Sequence, residues 1–246
     1  MRPSWIVANN PGPFTLSGTR TFFVGSRRLA VIDPGPDGDR EHVEALAERM
    51  GHADESTILL SHGHADHSGA VEALVARTGA LVRGVGHDAA VPLSDGDVVE
   101  TDQGPLISVD TPGHAKPHLV FHWPEAKAAF VADLVLGSGD TTWVGEYEGC
   151  VADYFESLER VGRLGCRVLY PAHGSAIEDV ADCLDRYRSH RLVRVEQVRD
   201  VLTAEPNADL DHVYSVVYGD TVPDGFKRAA EMSLEALLDY VRHPLA

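Results

Sequence analysis

The chain has 246 residues, 43% hydrophobic and 24% charged, so it can bury a sizeable core and is not expected to be disordered as a whole. Lysine and arginine number 21 against 38 aspartates and glutamates, and the net charge of −17 opposes non-specific nucleic-acid binding. No long apolar run, secretory leader or Cys-x-x-Cys pair occurs, so we expect a cytoplasmic protein with reduced thiols, without membrane segments or a zinc ribbon.

Short apolar runs alternate with segments of helical spacing through the first two thirds of the chain. Strands are expected at 19–24, 28–33, 56–60, 81–83, 98–100, 106–109, 118–123, 128–131 and 166–170. Helices are expected at 39–50, 69–78, 151–164, 178–204, 210–218 and 226–243. This order predicts an α/β (α+β) catalytic domain over residues 1–177 and a small helical C-terminal module over 178–246.

One loop concentrates potential metal ligands directly after the apolar strand at 56–60. Four of them fall within six residues of the segment Ser61-His62-Gly63-His64-Ala65-Asp66-His67. Neutral imidazole and carboxylate are ligands that divalent zinc accepts, and burying such groups without a partner is costly. The motif therefore favours a metal site over a solvated histidine-rich turn.

Three further candidates occupy similar positions. His114 and Asp133 each follow a strand closely, and His173 follows the strand at 166–170. A single histidine or aspartate at a strand end is more often structural than functional. Taken together, these residues predict one site built from several loops at the ends of strands.

The combined motifs resemble those of the metallo-β-lactamase superfamily over about residues 15 to 175. The resemblance implies an αββα sandwich with two metal ions at one sheet edge. It implies that one ion is held by His62, His64 and His114, the second by Asp66, His67 and His173, and that Asp133 bridges them. Asp33 matches an early buried aspartate that braces the site. The implied cofactors are two Zn²⁺ ions, with Mn²⁺ or Fe²⁺ as alternatives.

A narrower resemblance extends beyond the ligands, to the lactamase-beta-like branch that ends in a winged helix. The segments similar to that branch are Ser61-His62-Gly63-His64-Ala65-Asp66-His67-Ser68-Gly69-Ala70, Thr111-Pro112-Gly113-His114 with His118 behind it, Gly137-Ser138-Gly139-Asp140-Thr141-Thr142 and Tyr187-Arg188-Ser189-His190-Arg191. That branch includes a single-strand endoribonuclease. The branch usually has acidic residues in the loop after the third histidine motif, whereas this chain has Ala115-Lys116-Pro117.

The first functional hypothesis is hydrolysis of an acyl bond of a small molecule: a thioester, ester, lactone or lactam. Two metal ions would activate a shared water, with Asp66 or Asp133 orienting it and passing its proton to the leaving group. His118 would donate to the substrate oxygen or brace His114, or it only opens a strand.

The alternatives are a single-strand endoribonuclease, a non-catalytic binding protein and an iron-dependent redox protein. Many acidic residues of the C-terminal module dilute its arginines, which counts against an RNA-binding stripe. Candidate substrate-binding residues are Trp143, Tyr147 and His190. The alternative for Trp143 and Tyr147 is packing, and for His190 it is a capping or salt-bridge role.

Overall fold

The computed structural model describes residues 1–243 and contains two β-sheets packed face to face. The strands of the first sheet are Ser4–Val7 (β1), Arg20–Val24 (β2), Arg28–Ile32 (β3), Glu55–Leu60 (β4), Leu81–Gly84 (β5) and Val91–Pro92 (β6), in that spatial order. The strands of the second are Val98–Val99 (β7), Leu106–Asp110 (β8), Leu119–Trp123 (β9), Ala128–Ala132 (β10) and Val168–Pro171 (β11). Their order in the second sheet is β11-β10-β9-β8-β7.

Helices cover the outer faces of both sheets. They are Arg40–Met50 (α1), Ala65–Ser68 (α2), Val71–Thr78 (α3), Cys150–Gly162 (α4), Val180–Ala204 (α5), Leu210–Val217 (α6) and Lys227–Arg242 (α7). Asp39 caps the N-terminus of α1 and Asp179 caps that of α5, because each carboxylate accepts a hydrogen bond from a backbone N–H of the first turn. Such caps satisfy donors that have no partner inside the helix.

Three apolar clusters hold the layers together. Phe22 and Leu59 of the first sheet pack against Phe121 and Phe130 of the second, which forms the core of the sandwich. The outer face of the first sheet packs on α1 and α3, and the outer face of the second packs on α4 to α7. The αββα arrangement is therefore confirmed.

The direction of the strands determines where the loops meet. β3, β4, β5 and β6 run parallel, and β10 is parallel to β11. β9 is antiparallel to both β8 and β10, so β8, β10 and β11 share one direction. The loops that follow β8, β10 and β11 consequently leave the second sheet at a common edge, where the side chains of the site gather.

The structure differs from the sequence expectations in its short elements. β1 and β6 were not expected, because β1 is largely exposed and β6 has two residues, one of them proline. The four-residue helix α2 is too short for a helical period to show. The longer helices lie within two residues of their expected bounds at each end.

The C-terminal region, residues 178–243, contains helices and no strand among its described residues. The winged-helix resemblance has no support there, because the wing of that motif is a β-hairpin. One apolar cluster contains residues from both sides of the expected domain boundary, such as Val131 and Leu237. A division of the chain into two domains at 177/178 therefore stays a prediction. Among residues 1–243 no helix is long and apolar enough to cross a membrane.

Replacing Leu59 by alanine tests the sandwich core. Leu59 is 0% exposed between the sheets, so Leu59→Ala is expected to lower the free energy of unfolding by roughly 2–5 kcal/mol. Leu81→Ala is the matched control, since Leu81 is 49% exposed. Denaturant titration measures both variants, and equal losses would contradict the packing described here.

Candidate metal centre

The candidate ligands follow the carboxyl ends of four strands. After β4 come His62 and His64 in a loop, and then Asp66 and His67 on α2. His114 comes after β8, Asp133 after β10 and His173 after β11. All seven lie at one edge of the sandwich and divide into two groups. The structure thus brings together the seven residues that the sequence pattern predicts for one site.

The first group consists of His62, His64 and His114. One ring nitrogen of each residue lies within 4.8 Å of the corresponding nitrogens of the other two. Nδ1 of His64 is 3.0 Å from Nε2 of His114. Three imidazole nitrogens that converge in this way form a ligand set typical of a divalent transition metal.

The second group consists of Asp66, His67, Asp133 and His173, whose ligand atoms also lie within 4.8 Å of one another. Nε2 of His173 is 3.2 Å from Oδ2 of Asp66 and 3.3 Å from Oδ1 of Asp133. This set mixes nitrogen and carboxylate oxygen, which zinc, manganese and iron all accept.

Asp133 lies between the two groups. Its Oδ1 faces His67 and His173, and its Oδ2 is 3.8 Å from Nε2 of His114. The preceding residue, Ala132, has a φ of +44°, and the register of β10 against β11 shifts between Phe130 and Ala132. This local strain turns Asp133 out of the strand and toward both groups.

Asp33 fixes two of the imidazole rings. Its carboxylate accepts hydrogen bonds from the backbone N–H of Ser61 at 2.8 Å and the hydroxyl of Ser61 at 2.6 Å. Nδ1 of His67 lies 2.9 Å from Oδ2 of the same carboxylate. Because the Ser61 hydroxyl donates to Asp33, it accepts from Nδ1 of His62, 2.9 Å away. Nε2 of both histidines is then free to face the centre.

The outer nitrogens of the other three rings face oxygen atoms from two other parts of the chain. Nδ1 of His114 donates to the carbonyl of Trp143 at 2.9 Å, and Nδ1 of His173 donates to that of Gly18 at 3.4 Å. Nε2 of His64 is 3.6 Å from a carboxylate oxygen of Glu146. Each histidine ligand candidate therefore presents one nitrogen inward, and a protein oxygen lies near the other.

Several inward-facing atoms are buried without a hydrogen-bond partner among the described residues. They are Nε2 of His62, Nε2 of His67, Nε2 of His173 and Oδ1 of Asp133. The histidine nitrogens of the second group approach carboxylate oxygens closely but not in hydrogen-bonding geometry. Buried nitrogen and oxygen atoms that converge without hydrogen bonds are costly, and divalent cations would satisfy them, so the residues present fit divalent metal ions.

The carboxylates dominate the charge state of the second group. Burial disfavours protonation of His67 and His173, but the Asp133 carboxylate outweighs it, raising the pKa of His67 well above its usual value and that of His173 to about 9. Burial disfavours the charged form of Asp133, but those imidazolium rings hold its pKa well below the usual value. Without metal, this group consists of carboxylates paired with imidazolium ions.

For His62, His114 and His118 burial favours the neutral imidazole instead. Burial lowers the pKa of His62 strongly, that of His114 to about 4 and that of His118 to about 3. The His118 ring is 0% exposed, its Nδ1 is 2.9 Å from the Thr111 hydroxyl, and its centroid is 5.2 Å from that of His62. Full burial favours a bracing position beside the ligands, and a catalytic role of His118 stays a prediction.

The three candidate substrate-binding residues occupy different places. Trp143 stacks on His64 with ring centroids 5.9 Å apart, at the opening of the centre. The Tyr147 hydroxyl donates to Asp153, and the Lys116 ammonium lies 5.1 Å from the centre of its ring. Nδ1 of His190 lies 3.4 Å from Asp140, so the described contacts of His190 are with the 137–142 loop. Substrate contact by all three stays a prediction.

Sequence reasoning missed the partners that orient the rings. Ser61 stands in the motif beside His62, and its position before the ligands was the only available signal. Glu146 and the carbonyls of Gly18 and Trp143 carry no such signal. Their roles depend on which segments of the fold meet, not on residue type.

The chain is similar in sequence to known proteins along most of its length. The sequence model of the metallo-beta-lactamase superfamily matches residues 15–173. The lactamase-like protein aptB of Emericella nidulans is 36% identical over 80% of this chain and 64% of its own length. A protein of Aspergillus chevalieri named atrochrysone carboxyl ACP thioesterase is 31% identical over 95% of this chain and 78% of its own.

The fold is similar to solved structures along nearly its whole length. A metallo-beta-lactamase family protein of Thermus thermophilus superimposes with a TM-score of 0.75 at 22% identity, covering 98% of this chain and 93% of that one. The chain spans less than two thirds of several curated relatives, such as 64% of the Emericella nidulans protein.

Metal binding is expected to release protons. At pH 7 the metal-free second group holds protons on His67 and His173, whose pKa values are raised, and a cation must displace them. The apparent affinity for Zn²⁺ should therefore increase from pH 6 to pH 9. Calorimetric titrations in two buffers with different ionisation enthalpies measure the release, and identical heats in both buffers would contradict it.

Asp33→Asn tests the hydrogen bonds that orient the rings. Loss of the carboxylate charge weakens the orientation of His67 and Ser61, and we expect zinc affinity to fall about 10–100-fold. Competition with a chromophoric chelator measures the affinity. Asp200→Asn, an exposed carboxylate on α5, is the control and should bind zinc as the parent protein does.

Proposed function

Because this chain belongs to the metallo-beta-lactamase superfamily, we propose that it is a metal-dependent hydrolase that cleaves the thioester bond of a small acyl substrate. The observation that carries the proposal is the pair of adjacent ligand groups with Asp133 lying between them. The thioesterase name of a relative aligned with 95% of the chain supports the thioester among the acyl bonds considered.

In this proposal zinc occupies both positions. His62, His64 and His114 would hold one ion, Asp66, His67 and His173 would hold the other, and Asp133 would lie between them. When bound, the two cations lower the pKa of water and polarise the acyl carbonyl.

The protein residues orient the reactants and move the proton. Hydrolysis forms a carbon–oxygen bond to the acyl carbon, breaks the carbon–sulfur bond and yields a carboxylate and a thiol. The Asp66 side chain is 29% exposed, whereas the other members of its group are nearly buried, so it faces the opening. We assign to it the transfer of the proton from water to the departing sulfur.

An aromatic side chain lies beside the candidate ligands. The indole of Trp143 is half-buried and stacks on the ring of His64 with centroids 5.9 Å apart. Glu146 stands beside it, so this part of the rim carries negative charge. We propose that the acyl group lies on Trp143.

The RNA alternative receives less support from the surface of α5. Arg186 is paired with Asp182 and Arg199 with Glu196, while Arg191 is buried. These arginines do not form the free basic stripe that a polyanion would need.

The activity test compares substrates on the zinc-loaded protein. We expect thiol release from acyl thioesters, with slower or no turnover of matched oxoesters, lactones, lactams and single-stranded RNA. Asp66→Asn should lower kcat about 10²–10⁴-fold, measured at zinc saturation with metal content determined on the same sample. The control Asp200→Asn should leave kcat unchanged. RNA cleavage without thioester turnover would replace the proposal by the endoribonuclease.

A further inference from the structure

Arg191 is a charged side chain inside the apolar core between α4 and α5. It is 4% exposed, its guanidinium lies 5.7 Å from the centre of the Tyr154 ring, and no carboxylate of residues 1–243 lies within salt-bridge distance. Burial lowers its pKa. A buried, unpaired guanidinium is destabilising unless it holds something in place.

The structure shows what Arg191 holds. Its Nη2 donates to the carbonyl of Thr142 at 2.9 Å, and the Thr142 hydroxyl donates to the carbonyl of Asp133 at 3.0 Å. The next carbonyl along the chain, that of Trp143, accepts from Nδ1 of His114. The segment Thr142–Trp143 thus contacts one candidate ligand of each metal group.

A second residue on the same face of α5 holds the loop that leads to Thr142, residues 136–142, at its beginning. The Tyr187 hydroxyl accepts from the N–H of Leu136 at 2.9 Å and donates to the carbonyl of Leu136 at 3.1 Å. Tyr187 and Arg191 are four residues apart, one turn of the helix. The helix therefore fixes residues 136–142 at both ends.

We propose that Arg191 is a positioning residue of the metal centre, acting through Thr142 to set the spacing between Asp133 and His114. The inference rests on the proposed metal centre but not on the identity of the substrate. It accounts for a charge in an apolar core, and for the motif Tyr187-Arg188-Ser189-His190-Arg191, which the proposed hydrolysis alone leaves without a role.

The test measures metal binding directly, using Co²⁺ as the probe. Arg191→Met removes the charge and the donors and leaves an apolar side chain of similar length in an apolar core, so we expect a folded protein. Its Co²⁺ affinity should fall about 10–100-fold, and the visible absorption of the bound ion should change. Arg191→Lys should recover part of the affinity. The control is Arg199→Met, an exposed arginine of the same helix.

Wild-type affinity and an unchanged spectrum in Arg191→Met would overturn the inference. If that variant does not fold, Thr142→Val decides, because it removes the hydroxyl that bonds to Asp133 and keeps the carbonyl that Arg191 contacts. Parent-like Co²⁺ binding by Thr142→Val would then overturn the inference, and weakened binding would support it. A parent protein that binds two Co²⁺ but releases no thiol would refute the proposed thioesterase alone.

Discussion

The orientation of five imidazole rings is the constraint on which the centre depends. A histidine binds a cation more tightly with one nitrogen when the other is held, since a freely rotating ring spends part of its time facing away. Asp33 holds the ring of His67 directly and that of His62 through Ser61. His114 and His173 are held by backbone carbonyls that belong to distant segments. The centre is therefore a property of the whole sandwich, although its ligands come from short loops.

The topology explains why those loops meet at all. Strands that share a direction end at the same edge, and β8, β10 and β11 do so in the second sheet, while β4 delivers four ligand candidates from the first. Sheet packing then brings the two edges together across a core of aromatic and branched side chains. His64 and His114 are thus 50 residues apart in the sequence, yet Nδ1 of the first lies 3.0 Å from Nε2 of the second.

The convergence of the candidate ligands could be predicted from the sequence because they lie in loops that follow apolar runs, and because histidine and aspartate are rare in such number without a chemical reason. The αββα layers could be predicted for a similar reason, since the alternation of apolar runs and helical spacing extends through most of the chain. β1 could not, because it is short and largely exposed. The contact of His173 with the Gly18 carbonyl could not be predicted either, because the two residues are 155 positions apart and a backbone carbonyl has no signature in the sequence.

The helices after His173 take part in the centre although the family model ends at that residue. Tyr187 and Arg191 bond to the backbone of residues 136–142, and the same segment continues into Trp143 and Glu146 at the opening. A substitution on α5 can therefore move the rim of the opening while the ligand side chains stay the same. In this chain the helices supply a buried arginine, and the rim that they support presents an indole beside a carboxylate.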